Sequence, residues 1–134
     1  MWEQWFILKN KHYQIDRELI PDNKEQLTAL MEKAASEYDY IITTGGTGLG
    51  SKDFTVDVVQ PMLDKEIPGV MEHIRYKYGS EKPNALLSRG VAGLIGKTQV
   101  YTLPGSVKAV TEYMTEILKT MHHLQMMVYD IDAH

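Results

Sequence analysis

Hydrophobic positions along the chain predict alternating strands and helices. Between Lys24 and Tyr38 apolar residues recur every three or four positions, the period of a helix that buries one face. Residues 38–44 are short and rich in β-branched and aromatic side chains, which is typical of a buried parallel strand. Residues 13–20 partly alternate and end at Pro21, which predicts a strand that runs into a loop. Together these segments predict a βαβ unit.

The same alternation continues downstream. Thr55 can cap a short helix, and a second helix follows Pro68 with its apolar face around Ile74. Further strands are predicted at 85–87 and 99–103, and the last helix runs from about Val107 to the C-terminus. Residues 2–9 fit a short helix or a strand, and helix is favoured. The prediction is one α/β domain over residues 1–134, three-layered, with a mostly parallel sheet covered by helices on both faces.

Composition and charge limit the classes of function that this protein can have. The 134 residues carry a net charge of -4 with Lys and Arg dispersed among acids, which argues against a nucleic-acid partner but allows a small anionic ligand. The chain has no cysteine, which excludes disulfides, thiolate metal sites and cysteine nucleophiles. No apolar run is long enough to span a membrane and no signal-peptide layout is present, so we expect a soluble cytoplasmic protein.

A glycine-rich segment follows the strand predicted at 38–44. Four glycines fall in the six positions Gly45–Gly50, where ligands bind at the carboxyl ends of parallel strands and bare backbone can approach an anion. The segment is not a P-loop, because Ser51 separates Gly50 from Lys52, and it lacks the sixth-place glycine of a dinucleotide fingerprint. A tight turn between strand and helix is the alternative, but the ordering cost of so many glycines favours a ligand that needs the space.

Four motifs, in order and spacing, carry a resemblance to a known family. They are Thr43-Thr44-Gly45-Gly46-Thr47-Gly48, Asp53-Phe54-Thr55, Leu87-Ser88-Arg89-Gly90-Val91-Ala92-Gly93 and Leu103-Pro104-Gly105-Ser106. This set resembles the molybdopterin-binding domain of molybdenum cofactor biosynthesis proteins, above all the MogA-like molybdopterin adenylyltransferases and the corresponding domains of gephyrin and its plant counterpart. The resemblance implies a three-layer α/β fold, usually a homotrimer, that uses Mg-ATP to adenylylate molybdopterin and releases pyrophosphate.

The resemblance also implies site residues. It assigns catalysis and Mg²⁺ with ATP to Asp22 and Asp53. On the residues alone, Asp22 with Glu25 is also a capping box for the following helix, and Asp53 could be an exposed turn acid. The residues implied to bind substrate are Thr44, Gly45, Gly46, Thr47, Gly48, Ser88, Arg89, Gly90, Pro104, Gly105, Ser106 and Lys108. Arg89 could instead pair with a nearby acid on the surface, and Ser106 could simply cap the last helix.

The chain departs from the family pattern at its start. Family members begin with a hydrophobic strand ending in Ser-Asp, and matching Leu19-Ile20-Pro21-Asp22 to the family puts Met1 inside the first helix. If so, this sequence lacks that strand, unless residues 2–8 are rearranged to supply it. Three functions stay open: a molybdopterin adenylyltransferase, a non-catalytic molybdopterin-binding module, and nucleotide-pyrophosphate hydrolysis as in competence-related relatives of the same fold.

Overall fold

The computed structural model describes residues 14–19 and 23–131. Its helices are α1 (Lys24–Glu37), α2 (Thr55–Val59), α3 (Pro68–Gly79) and α4 (Val107–Val128), with 3₁₀ turns at Gln60–Met62 and Pro83–Leu87. Its strands are β1 (Tyr40–Thr44), β2 (Lys65–Glu66), β3 (Ala92–Ile95) and β4 (Thr98–Leu103). The helices predicted around residues 24–38, 55, 68–78 and from 107 onward are all present.

The four described strands form one mixed sheet in the order β1-β4-β3-β2. β1 and β4 are parallel, so their carboxyl ends, Thr44 and Leu103, lie side by side. β3 and β4 form an antiparallel hairpin around Gly96, which has a φ of 58°, and β2 pairs with β3 antiparallel. The predicted parallel arrangement therefore holds for β1 and β4 but differs for β2 and β3.

Helices cover both faces of the sheet, which confirms the α/β class. On one face α3 and α4 pack against Tyr101 and Leu103 of β4. On the other face α1 and α2 pack against Val100. Because strand side chains alternate between faces, β4 is buried on both, and each of its six residues is buried. This central strand fixes where the segments after β1 and β4 must lie.

Two predicted strands are wrong in the described part of the chain. The segment 85–87 belongs to a 3₁₀ helix that begins at Pro83, and Leu86 and Leu87 are each 57% exposed instead of buried. Residues 14–19 have no regular secondary structure: Ile15 packs against the core, whereas Leu19 is 87% exposed. The alternation in this segment therefore reflects one anchored side chain. The predictions for residues 2–9 and for the missing first strand lie outside the described residues.

Helix caps follow from short polar side chains. Asn23 caps α1, because its Oδ1 accepts the backbone N–H of Gln26 at 3.0 Å. Asp22 was the predicted capping residue, and it lies outside the described residues. Thr55 is the first residue of α2 and does not cap it; Phe54 occupies that position without a side-chain hydrogen bond. Within the described residues, no helix combines the length and apolar character needed to cross a membrane.

Candidate functional site

The predicted ligand segments meet at the carboxyl edge of β1 and β4. We call residues 45–53 the glycine loop. Its first residue, Gly45, donates its backbone N–H to the carbonyl oxygen of Leu103 at 2.8 Å. A β-carbon added at Gly105 would lie 3.4 Å from the α-carbon of Gly45, so the segment after β4 packs directly on the glycine loop. Thr44 is half-buried at the end of β1, and Pro104 is half-buried directly after β4.

Close approaches within the protein account for two positions in this loop. Gly46 has a φ of 73°, and a β-carbon there would lie 2.0 Å from the hydroxyl oxygen of Thr55. Gly48 faces Asp53, whose carboxylate oxygen would lie 2.8 Å from an added β-carbon. At these two positions the bare backbone makes room for Thr55 and Asp53, and the expectation that a ligand needs the space stays a prediction. Glycine here brings the Asp53 carboxylate close to the loop backbone.

The Asp53 carboxylate is held over the loop with one oxygen available. Its Oδ2 accepts the N–H of Gly50 at 3.0 Å, and its own N–H donates to the carbonyl of Gly50 at 3.0 Å. Oδ1 has no hydrogen-bond donor among the described residues. No group of three or more histidine, cysteine or acidic side chains that could hold a metal occurs in the described ranges. Asp22, the second predicted metal ligand, is outside those ranges.

The glycine loop also presents unused backbone donors. In the described part of the protein, the N–H groups of residues 46–49 have no acceptor, whereas those of Gly45, Gly50 and Asp53 are bonded as given above. Successive backbone N–H groups that converge can bind an anion. The arrangement can therefore bind phosphate oxygens while Asp53 supplies a negative charge beside them.

Arg89 and Ser88 contact the loop from the side. The Arg89 N–H donates to the carbonyl of Thr47 at 2.9 Å, and its Nε donates to that of Gly48 at 2.9 Å. Its guanidinium forms a bidentate pair with Asp57, with distances of 3.0 and 3.2 Å. This hydrogen bond lowers the pKa of Asp57 and raises the pKa of Arg89. The Ser88 hydroxyl donates to the buried Thr47 hydroxyl at 3.2 Å.

These contacts correct one sequence prediction and support an alternative that the sequence left open. Ser88 and Arg89 follow a 3₁₀ turn instead of ending a strand, and Arg89 adopts the alternative of an ion pair with a nearby acid. Asp57 was missed as its partner. The two residues are 32 positions apart in sequence, so no local pattern connects them.

Of the remaining predicted ligand residues, Gly90 and Ser106 have structural roles, whereas Lys108 is exposed. Gly90 is buried, and an added β-carbon would lie 2.6 Å from the carbonyl oxygen of Thr102, so this glycine serves close backbone packing. Ser106 caps α4 by accepting the N–H of Ala109 at 3.1 Å. Lys108 is exposed in the first turn of that helix, where a cation lies beside the helix N-terminus. Only Lys108 in this group therefore presents an ionic side chain to solvent.

One buried hydroxyl at this edge was also missed. Thr43 is 6% exposed, and its Oγ1 has no hydrogen-bond partner among the described residues. It lies one residue before the end of β1. Its identity as a β-branched residue in a strand gave no signal of an unpaired hydroxyl.

A separate cleft of about 310 Å³ lies beside Arg89. Charged and polar side chains contribute much of its wall, including Gln60, Glu66, Glu72 and Arg75. Arg89 and Gly90 line it, but no residue of the glycine loop does. Two of the predicted ligand residues therefore border this cleft, and Arg89 contacts the glycine loop as well.

Comparison with known proteins identifies the same family as the four sequence motifs. The family model described as "Probable molybdopterin binding domain" matches residues 7–123. Molybdenum cofactor biosynthesis protein B of Staphylococcus carnosus is 40% identical over 121 residues, which cover 87% of this chain and 69% of that protein.

Two solved structures extend the comparison. The molybdopterin biosynthesis Mog protein from Mycobacterium ulcerans is 28% identical with a TM-score of 0.85, covering 93% of this chain and 82% of its own. The tungsten cofactor synthesizing protein MoaB from Pyrococcus furiosus is 36% identical with a TM-score of 0.69, covering 80% and 70% respectively. These likenesses confirm the family that the four motifs predicted, and the chain belongs to the molybdenum cofactor biosynthesis family with a probable molybdopterin binding domain.

Proposed function

We propose that this protein adenylylates molybdopterin with Mg-ATP as a step of molybdenum cofactor biosynthesis. In this reaction an oxygen of the terminal phosphate of molybdopterin attacks the α-phosphorus of ATP. The new P–O bond forms as the bond between the α-phosphorus and the bridging oxygen breaks, and pyrophosphate leaves. Molybdopterin and ATP are both substrates. Support comes from family membership and from a site suited to anions.

The observation that carries the proposal is the row of unpaired N–H groups at residues 46–49. Nucleotidyl transfer needs little covalent chemistry from the protein; it needs phosphates held in position and their charge neutralised. Backbone donors fixed in a loop meet that need without side-chain reorganisation. The glycine loop would therefore hold phosphate oxygens of one of the two substrates.

Mg²⁺ fits the loop through Asp53. Its Oδ1 has no donor among the described residues, and Mg²⁺ commonly binds through one or two carboxylates together with substrate phosphates and water. We propose Asp22 as the second carboxylate, on the resemblance alone. Bound Mg²⁺ would neutralise phosphate charge. Lys108, exposed at the start of α4, would add a positive charge near the same edge.

The assembly and location of the protein are also proposals. The resemblance favours a homotrimer, and we propose a cytoplasmic location because the sequence has no signal-peptide layout. Contacts with other molybdenum cofactor biosynthesis proteins are proposed because substrate and product would both be intermediates of one pathway.

The test is pyrophosphate release by purified protein supplied with molybdopterin, ATP and Mg²⁺. We expect turnover with the natural protein and a loss of about 100-fold in Asp53→Asn, which keeps the shape of the side chain but removes its charge. Asp64→Asn is the matched control, because Asp64 also accepts a glycine N–H, from Gly96 at 2.6 Å, and lies away from the loop. Asp64→Asn should keep its turnover.

Two outcomes oppose the proposal in different ways. If the protein binds molybdopterin but releases no pyrophosphate, the non-catalytic binding module is correct and adenylylation is wrong. If Asp53→Asn and Asp64→Asn turn over equally, the reaction does not depend on the glycine loop.

A further inference from the structure

We propose that Arg89 is a positioning residue that holds the glycine loop in its anion-binding shape before any ligand arrives. The resemblance assigned Arg89 to ligand binding. Arg89 instead forms hydrogen bonds with the loop backbone at both ends of the segment 47–53. The inference rests on the proposed function only in taking this loop as the anion site.

Three hydrogen bonds from one residue reach the loop. The backbone N–H of Arg89 donates to the carbonyl of Thr47 at 2.9 Å, its Nε donates to the carbonyl of Gly48 at 2.9 Å, and its Nη2 donates to the carbonyl of Asp53 at 3.0 Å. These acceptors lie at the start and at the end of the segment. Arg89 therefore sets the distance between the two ends, which keeps the Asp53 carboxylate over the loop.

The same contacts decide which way the loop donors point. In a planar trans peptide the C=O and the following N–H point in opposite directions. The carbonyls of Thr47 and Gly48 both point to Arg89, so the N–H groups of Gly48 and Leu49 point away from it. Those two N–H groups are among the unpaired donors of the proposed phosphate site. Arg89 thus turns backbone donors outward without contacting the ligand.

Asp57 and Arg75 hold Arg89 itself in place. Asp57 takes two N–H groups of the guanidinium, so that four of its five donors are used within the protein. Arg75 donates through Nη1 to the carbonyls of Ser88 and Gly90, on either side of Arg89. A lysine at 89 has a single nitrogen at the end of its side chain. It could not donate at the same time to the Asp57 carboxylate and to the carbonyls of Gly48 and Asp53, as the planar guanidinium does.

One variant, Asp57→Asn, has opposite expected results for the two possible roles of Arg89. Asp57→Asn removes the charge that holds the guanidinium but leaves Arg89 present. If Arg89 bound the ligand, freeing it from Asp57 would strengthen anion binding. If Arg89 positions the loop, the same change loosens the loop and weakens anion binding. Asp64→Asn, which removes one negative charge elsewhere, corrects for the general effect of charge.

The experiment uses NMR of the ligand-free full chain and then a titration with Mg-pyrophosphate. In Arg89→Lys and Asp57→Asn we expect the order parameters of the 48–53 N–H groups to fall from about 0.85 towards 0.6, while β4 stays rigid. We expect Mg-pyrophosphate to bind about tenfold more weakly to both variants than to Asp64→Asn, the cost of populating the competent loop in only a tenth of molecules.

Each further outcome bears on the inference. A rigid loop in both variants, or tighter pyrophosphate binding by Asp57→Asn than by Asp64→Asn, overturns it. If the loop loosens as expected but the natural protein does not bind Mg-pyrophosphate, the positioning role stands and the proposed phosphate site is wrong.

Discussion

Replacing Glu116 with glutamine should lower stability in a manner that depends on pH. Glu116 lies on α4 with only 4% of its side chain exposed, and it joins this helix to α3. Its carboxylate lies 3.1 Å from nitrogens of His73, Lys77 and Lys119 and accepts the hydroxyl of Tyr78 at 3.3 Å. Glutamine keeps the size of the side chain but removes the charge that these donors share.

The magnitude follows from the pKa of Glu116. Burial alone would raise it, but hydrogen bonds from Lys119, Lys77 and His73 lower it from 4.5 to about 2. This lowering corresponds to about 3 kcal/mol of stability at neutral pH, and because the side chains of the three nitrogen donors are about half exposed we expect about 2 kcal/mol after screening. Because the folded pKa is the lower one, this contribution is present above pH 4.5 and is lost as the pH falls towards 2.

Urea unfolding of the natural protein, Glu116→Gln and Glu112→Gln at pH 7 and pH 3 is the assay. Glu112 lies one turn earlier on α4 and pairs with Lys82 at 2.7 Å, with 18% of its side chain exposed. We expect Glu116→Gln to cost about 2 kcal/mol at pH 7 and clearly less at pH 3, and Glu112→Gln to cost under about 1 kcal/mol. Equal costs for the two variants, or a Glu116→Gln cost that does not change with pH, would refute the reasoning.

Three further predictions concern the edge that carries the site, each measured as a free energy of unfolding. Gly46→Ala should cost at least about 2 kcal/mol, because alanine would have to adopt a left-handed φ and its β-carbon would lie 2.0 Å from the Thr55 hydroxyl oxygen. Gly69→Ala is the control: an added β-carbon there meets open space on α3, so the change should be neutral or slightly stabilising. Thr43→Val should cost nothing, because its hydroxyl has no described partner, whereas Thr102→Val should cost about 2 kcal/mol, because it leaves a buried N–H unpaired. Ser106→Ala should cost about 1 kcal/mol through loss of the α4 cap.

Each of these has its own contrary result. Equal losses from Gly46→Ala and Gly69→Ala would remove the steric argument at the loop. A cost for Thr43→Val as large as that for Thr102→Val would mean that the Thr43 hydroxyl has a partner outside the described residues. If Ser106→Ala leaves the free energy of unfolding unchanged, the serine does not stabilise α4 as a cap, and its hydroxyl would be available to bind a ligand.

Local patterns predicted the features that depend on neighbours in sequence. The helical period of α1 and α4 is long and regular, and the Ser106 cap needs only a residue three positions away, so both were predictable. The segment 85–87 looked like a strand because three apolar residues are too few to show a period. The reversal of β3 depends on a tight turn at Gly96, and the sequence alone did not reveal that β3 pairs with β4 through it.

The site was predicted as a set of motifs but not as a set of contacts. The order and spacing of the four motifs predicted that the glycine loop, the segment around Ser88 and the segment before α4 lie close together. The role of Arg89 depends on Asp57, 32 residues away, and on carbonyl groups that every residue carries. A chain pattern cannot distinguish an arginine that binds a ligand from one that shapes a loop, because the residue type is the same in both cases.

The most direct test of the central claim is an NMR titration of the isotope-labelled protein with Mg-ATP, following each backbone N–H. The account predicts that the largest shifts fall on residues 46–49, whose donors are unpaired, and that Asp53→Asn weakens the binding. Shifts confined to the cleft around Arg75 and Glu72, with the glycine loop unmoved, would contradict the claim that the loop is the phosphate site.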